Sequence, residues 1–278
     1  MTAITAVLTA HAAMPDTFWS WVAFIIRNYG ALFLEGARNT LFIALVGTAA
    51  GFAIGLVVAI VRTIPLKPQT PRPVRLIVRL SQILLSVYIE VFRGTPMIVQ
   101  AVVVYYGSLQ MFGINMTAIA AGILIVSINT GAYMAEIIRG GIDSIDRGQT
   151  EAAQAIGMGH VKTMVHVILP QAIRNILPAT GNELIVNIKD TSVLNVISVT
   201  ELFFMSKSAA GTYFRYFEVF FVTSVIYLVM TFTVTRLLRM LEKKLDGPDN
   251  YTVMGSQTTL AGMIHVQHGG ADLPVKRK

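Results

Sequence analysis

Between Pro178 and Ile197 an otherwise apolar stretch carries Glu183, Lys189 and Asp190, together with Thr180, Asn182, Asn187, Thr191 and Ser192. On a helix Thr180, Glu183, Asn187, Asp190, Thr191 and Leu194 recur at three- and four-residue spacings and make one mostly polar stripe. Asn182, Lys189 and Ser192 flank it. Ionisable groups inside an apolar segment are too costly to face lipid, so the stripe belongs to a wet pathway or a polar subunit interface. Its chemistry is recognition rather than bond-breaking. A carboxylate accepts from a cationic group and a lysine donates to an anionic one, so the stripe offers both signs. The other reading is that Lys189 and Asp190 satisfy each other or neighbouring helices, since adjacent helical residues diverge by about 100°. A second stripe runs through Asn129, Tyr133 and Glu136, where Glu136 is expected to pair with Arg139 or a basic loop.

Other chemistries lack their residues. The run Gly157-Met158-Gly159-His160-Val161-Lys162-Thr163 has glycines and a Lys-Thr pair, but not at the spacing of a phosphate-cradling loop. His160 and His166 fall on different helix faces without a glutamate at zinc spacing, so no metal site is expected. The 278 residues contain no cysteine, which removes disulfides and thiolate chemistry. No nucleophile–base–acid arrangement can be inferred, and the chain is not expected to be an enzyme or to bind a cofactor itself.

The elements that position these residues are membrane spans. The chain is 54% hydrophobic and 13% charged, about half the charge of a soluble domain. Its net charge of +7 reads as basic loops that fix orientation, not as a nucleic-acid surface. Phe18 to Phe33, rich in aromatics, reads as an interfacial helix within an external segment 1–38. Residues 1–16 lack a basic n-region and are not expected to be a cleaved signal peptide. Asn39 to Val61 is span 1, with Gly47, Gly51 and Gly55 on one face for close helix packing. Arg62 to Arg79 is a basic loop, and Ile77 to Phe92 an amphipathic helix expected at the cytoplasmic face, in preference to a single kinked helix pairing Glu90 with Arg93. Thr95 as N-cap and Pro96 in the first turn start span 2, which ends at Gly113. Span 3 covers Thr117 to Ile138, span 4 Pro178 to Ile197 and span 5 Tyr216 to Leu238, with an outer loop over Thr200 to Arg215. The spans lie in a transmembrane domain, 39–245. The loops after spans 1, 3 and 5 are basic, which puts the N-terminus outside and the C-terminus in the cytoplasm. Residues 246–278 read as a disordered tail.

Residues 139–175 form a polar loop of about forty residues, a length that is usually functional or disordered. Gln149 to Ile156 is rich in Ala, Gln and Glu and predicts a helix. Gly157-Met158-Gly159 breaks it, Val161 to Ile168 resumes it and Pro170 is expected to end it. The small residues build no core but suit insertion into a partner's cleft.

Glu151-Ala152-Ala153, Gly157, Val167 and Leu169-Pro170 are spaced as in the EAA loop of bacterial ABC-importer permeases, which this segment resembles; valine stands where isoleucine is frequent. Glu90 to Pro96, Asn129 to Ile142 and Lys189-Asp190-Thr191-Ser192 resemble the permeases for polar amino acids (histidine, glutamine, glutamate, arginine, opines). The resemblance covers roughly Leu34 to Leu241. It implies an all-α integral membrane protein with a five-span, MetI-like ABC importer core, here with an N-terminal interfacial helix. It implies a second permease subunit, identical or homologous, two ATPase subunits that hold ATP-Mg and each receive one EAA loop, an extracytoplasmic amino-acid-binding protein, and a place in the bacterial cytoplasmic membrane. On that basis Glu151, Ala152, Ala153, Gly157, Leu169 and Pro170 are the candidate ATPase-coupling residues. Glu183, Asn187, Lys189, Asp190, Thr191, Asn129 and Tyr133 are the candidate pathway residues. The competing reading, an ion-coupled secondary transporter or channel subunit, would call for inverted repeats, and none is evident in the sequence.

Overall fold

The structure, a computed structural model, describes residues 14–64, 66 and 71–245; the expected tail and most of segment 1–16 lie outside them. Every element described is helical. Helix α1 is Phe18–Arg62, 45 residues, or roughly 67 Å. Thr17 caps it: its Oγ1 accepts from Ser20 N, while Thr17 N donates 3.0 Å to Ser20 Oγ. The interfacial helix and span 1 are therefore one continuous helix, not two. Neighbours hold it through the expected break. Asn39 Nδ2 donates 2.8 Å to Thr200 O, Leu202 N donates 3.2 Å to Thr40 Oγ1, and a Cβ on Gly36 would lie 2.8 Å from Leu202 Cα.

Helix α2 is Arg72–Gly94 and α3 is Met97–Phe112. Two expectations are corrected here. Thr95 does not cap α3: its Oγ1 donates 2.8 Å back to Val91 O, and Pro96 takes the cap position. Nor is α2 confined to a membrane face. Its C-terminal half packs into the bundle, where Tyr88 OH donates 2.6 Å to Ile128 O, and the chain breaks between α2 and α3 at Gly94-Thr95-Pro96. Gln100 fixes the break, donating from Nε2 to Phe92 O, Thr95 O and Thr95 Oγ1, each at 3.0 Å.

Helix α4, Ala118–Asp143, continues beyond Ile138. Helix α5 is Arg147–Ala155. Next come α6, His160–Thr163, a π turn, Met164–Ile168, and α7, Leu169–Asp190, without an intervening loop. Pro170 thus opens α7 instead of ending its predecessor, and Pro178 lies inside α7 rather than in a first turn. Proline supplies no N–H. The π turn ahead of it re-pairs the backbone at wider spacing, with Leu169 N donating to Met164 O. A 3₁₀ turn, Thr191–Ile197, follows α7. The expected outer loop contains helix α8, Leu202–Tyr213, capped by Glu201, which accepts from Phe203 N at 2.8 Å and Phe204 N at 2.6 Å. Helix α9 is Tyr216–Leu245.

Phe18–Arg62, Ala118–Asp143 and Tyr216–Lys244 are each long and apolar enough to cross a membrane; the α7 region and α8 form a further pair bent by 56°. Gly47 meets Val126, Gly51 meets Thr130 and Gly55 meets Met134, so α1 and α4 run parallel in close contact. A Cβ on Gly51 would fall 2.7 Å from Thr130 Cβ. Helix α9 is parallel to them, its start beside the start of α1 through Phe18–Phe217 (5.4 Å between ring centroids) and Arg215 over Trp21 (4.6 Å). Helix α7 is antiparallel: Thr180 lies beside Met134, and Asn187 a further two turns along meets Thr130. The three parallel helices therefore end together, at Arg62, Asp143 and Lys244.

Candidate functional site

Two sets of residues stand apart from the apolar packing. The first lies between α4 and α7. Asp146 starts α5, its Oδ1 accepting from Gly148 N at 2.6 Å. Gly157, at φ +84°, ends the element in a conformation that disfavours a side chain, while Met158 N donates 3.0 Å to Ala153 O. Of the coupling candidates, Ala153 is buried and anchors α5, Leu169 is half-buried, and Glu151, Ala152, Gly157 and Pro170 are exposed. Ile156 is 80% exposed and Val161 73%. Two large aliphatic side chains therefore open to solvent on either side of the glycine turn. Sequence reasoning weighed the small residues and passed over these two, although both stand in the same motif. Gln171 Nε2, on α7, donates 3.4 Å to Gln149 Oε1, which ties α5 to the helix that enters the bundle.

The second set surrounds the break between α2 and α3. Arg93 stacks over Tyr133, 5.4 Å from guanidinium carbon to ring centroid. Its charge and that of Asp190 both act on Glu183. Arg93 and Tyr133 thus meet from α2 and α4, Glu183 and Asp190 on α7 lie within electrostatic range of them, and among the described residues no ion pair within 4.0 Å consumes either carboxylate. Asn129 is at the same level, but its Nδ2 donates to Phe92 O at 3.1 Å and Gln100 Oε1 at 3.0 Å, so it braces the break.

Other candidates face elsewhere. Asn187 is buried and donates from Nδ2 to Thr48 Oγ1 at 2.8 Å and Thr130 Oγ1 at 2.9 Å, a polar knot joining α1, α4 and α7. Thr191, fully buried, donates to Ile188 O at 3.0 Å. Asn187 thus links three helices, whereas the Thr191 hydroxyl bonds within its own turn. Lys189 lines a groove of about 320 Å³ between α7 and α9 together with Arg236 and Arg239, and its charge also acts on the neighbouring Asp190. Arg93 went unweighed as a site residue, though a cation beside a Gly-Thr-Pro break inside an apolar region was a readable signal. Glu136 accepts from Arg139 Nη2 at 2.8 Å and from Arg62, pinning the ends of α1 and α4 together.

Residues 75–247 match the family described as the binding-protein-dependent transport system inner membrane component. The chain is 36% identical over 215 residues to the glutamine transport system permease protein GlnP of Escherichia coli, covering 77% of this chain and 93% of that protein. It is 35% identical over 216 residues to the arginine transport system permease protein ArtQ of Bacillus subtilis, covering 78% and 93%. Among solved structures, an amino acid ABC transporter crystallised with histidines aligns at TM-score 0.71 and 39% identity, over 83% of this chain and all (100%) of that one. The inward-facing MetNI methionine transporter aligns at TM-score 0.63 over 77% and 96%; at 20% identity it supports the fold alone.

Proposed function

The chain belongs to the family of binding-protein-dependent transport system inner membrane components, and from that premise we propose that it is the membrane-spanning permease subunit of an ATP-driven importer of a polar amino acid. Relatives named for glutamine and arginine support the substrate class. Its partners are two ATPase subunits that bind ATP-Mg, a second permease and an extracytoplasmic binding protein. The chain itself hydrolyses nothing.

One observation carries the coupling. From His160 through the π turn to Asp190 the chain is one unbroken helical rod, roughly 46 Å long. It joins the exposed α5–Gly157 element to the charged cluster in the bundle. Closure of the ATPase pair around ATP pushes on α5, and the rod carries that displacement to Glu183 and Asp190. The Arg93 guanidinium offers donors to a substrate carboxylate, and Glu183 and Asp190 accept from its ammonium. ATP biases the access equilibrium because it binds one arrangement of the complex better than the other.

The basic residues support an orientation with the N-terminus outside. The shared end of α1, α4 and α9 carries Arg62, Arg139, Lys243 and Lys244, and this basic cluster supports the cytoplasmic face of the bacterial inner membrane as the location of that end. Cysteine cross-linking tests the reading directly, since the chain has no cysteine of its own. Cysteines at Glu151 or Gly157 should capture an ATPase subunit in intact cells, and failure of both to do so would remove the coupling role.

A further inference from the structure

In a helix that ran on past Gly94, the carbonyl of Phe92 would take its bond from the N–H of residue 96. Residue 96 is proline and has no N–H to give. Two amides from neighbouring helices fill the place. Gln100 on α3 and Asn129 on α4 both donate to Phe92 O, at 3.0 Å and 3.1 Å. Gln100 is 7% exposed, and its Nε2 also meets Thr95 O and Thr95 Oγ1. The two carbonyls can only accept, so the Gln100 amide has one orientation, which turns its Oε1 to Asn129 Nδ2 at 3.0 Å. These bonds fall on residues 92 and 95, either side of Arg93. One turn beyond Asn129 on the same face of α4, the Tyr133 ring lies under the Arg93 guanidinium. Helix α4 therefore holds the main chain before Arg93 and its head group, while α3 holds the main chain after it.

Resting on the reading of Arg93 as the donor to a substrate carboxylate, we infer that Gln100 and Asn129 are positioning residues for its guanidinium. Neither touches the substrate. Together they fix the chain on both sides of Arg93, so that the head group stands over Tyr133 before substrate arrives. A guanidinium over a ring keeps its in-plane N–H donors available for a carboxylate. Order established in advance is not paid for again on binding, and the gain appears as affinity. Asn129 then acts on the substrate through Arg93 instead of by contact.

The test is equilibrium binding of a labelled amino acid to the solubilised complex of this chain with its ATPase subunits, without binding protein. The probe is whichever of L-histidine, L-glutamine, L-glutamate and L-arginine the parent complex binds most tightly. Gln100→Met and Asn129→Leu keep the bulk of each side chain and remove its donors. Each should raise Kd about fivefold, the effect of roughly one hydrogen bond, with the number of sites per complex unchanged. In an Arg93→Gln background neither should raise Kd further, because both act through that one group. A role in packing alone would lower the number of sites with or without Arg93. Fewer sites at an unchanged Kd, or a Kd that rises equally in both backgrounds, would overturn the positioning role. Should one variant yield no complex, the other decides on the same criteria. An Arg93→Gln complex with the parent's Kd, or a parent that binds none of the four, would instead overturn the reading of Arg93 on which the inference rests.

Discussion

Asn187 Nδ2 stands 2.8 Å from Thr48 Oγ1, a hydrogen bond between spans that lie 139 residues apart in the chain. The same amide group reaches Thr130 Oγ1, so one side chain holds three helices. Asn187→Ala should destabilise the bundle by about 0.5–2 kcal/mol, the range found for a polar link between membrane helices. Thermal unfolding in detergent would measure it. A variant as stable as the parent would show that the knot contributes nothing.

Glycine substitutions along α1 should separate sharply by position. A side chain on Gly51 collides with Thr130 and one on Gly55 with Met134 and the Ala135 backbone, whereas a Cβ on Gly30 meets nothing within 4 Å. Gly55→Val should therefore prevent the parallel α1–α4 pair from closing, and little folded protein should be recovered from the membrane. Gly30→Ala should leave yield and melting temperature unchanged. Comparable yields of the two would contradict the close packing.

Glu151→Arg and Gly157→Val should leave the chain folded yet uncouple transport. Gly157→Val acts through backbone conformation, since a β-branched residue at φ +84° is strained. The readout is uptake in proteoliposomes together with retention of ATPase subunits on affinity purification. Normal uptake by both variants would contradict the coupling role.

Glu136 bridges Arg62 and Arg139. Glu136→Gln should loosen the ends of α1 and α4, and a double-mutant cycle with Arg62→Gln should give a coupling energy of roughly 0.5–3 kcal/mol. A coupling near zero would mean that the pair is fully screened by solvent.

Glu183→Gln and Asp190→Asn should each impair uptake without releasing the ATPase subunits, because they lie at the far end of the rod from α5. Measured against amino-acid concentration, the change should appear mainly as a raised KM. An unchanged uptake curve for both would remove the charged cluster from the substrate route.

The helices were legible wherever composition was decisive. Long uncharged runs predict α1, α4 and α9, and the Ala-, Gln- and Glu-rich stretch closed by Gly157 predicts α5. What stayed hidden depends on partners distant in sequence. No local signal shows that Thr200 and Leu202 will hold α1 intact past Phe33, or that Gln100 will brace the break at Pro96 from the following helix. Prolines misled for a related reason. Pro170 and Pro178 are breakers in isolation, but the π turn and the surrounding bundle absorb both. In the charged cluster, helical periodicity gathered Glu183, Asn187 and Asp190 onto one face. It could not reveal that Thr48 and Thr130 occupy the middle of that face and draw Asn187 inward.

The contact between Gly181 and Leu238, 3.2 Å from the position a Cβ would take, falls about two-thirds of the way along the rod. If the rod tilts there, the arms on either side measure roughly 32 Å and 14 Å. Such a lever gears motion down in the ratio of its arms, so that a displacement at His160 reaches Asp190 at roughly two-fifths of its size. Lengthening the side chain at Gly181 would shift the fulcrum, and with it the stroke reaching the carboxylates.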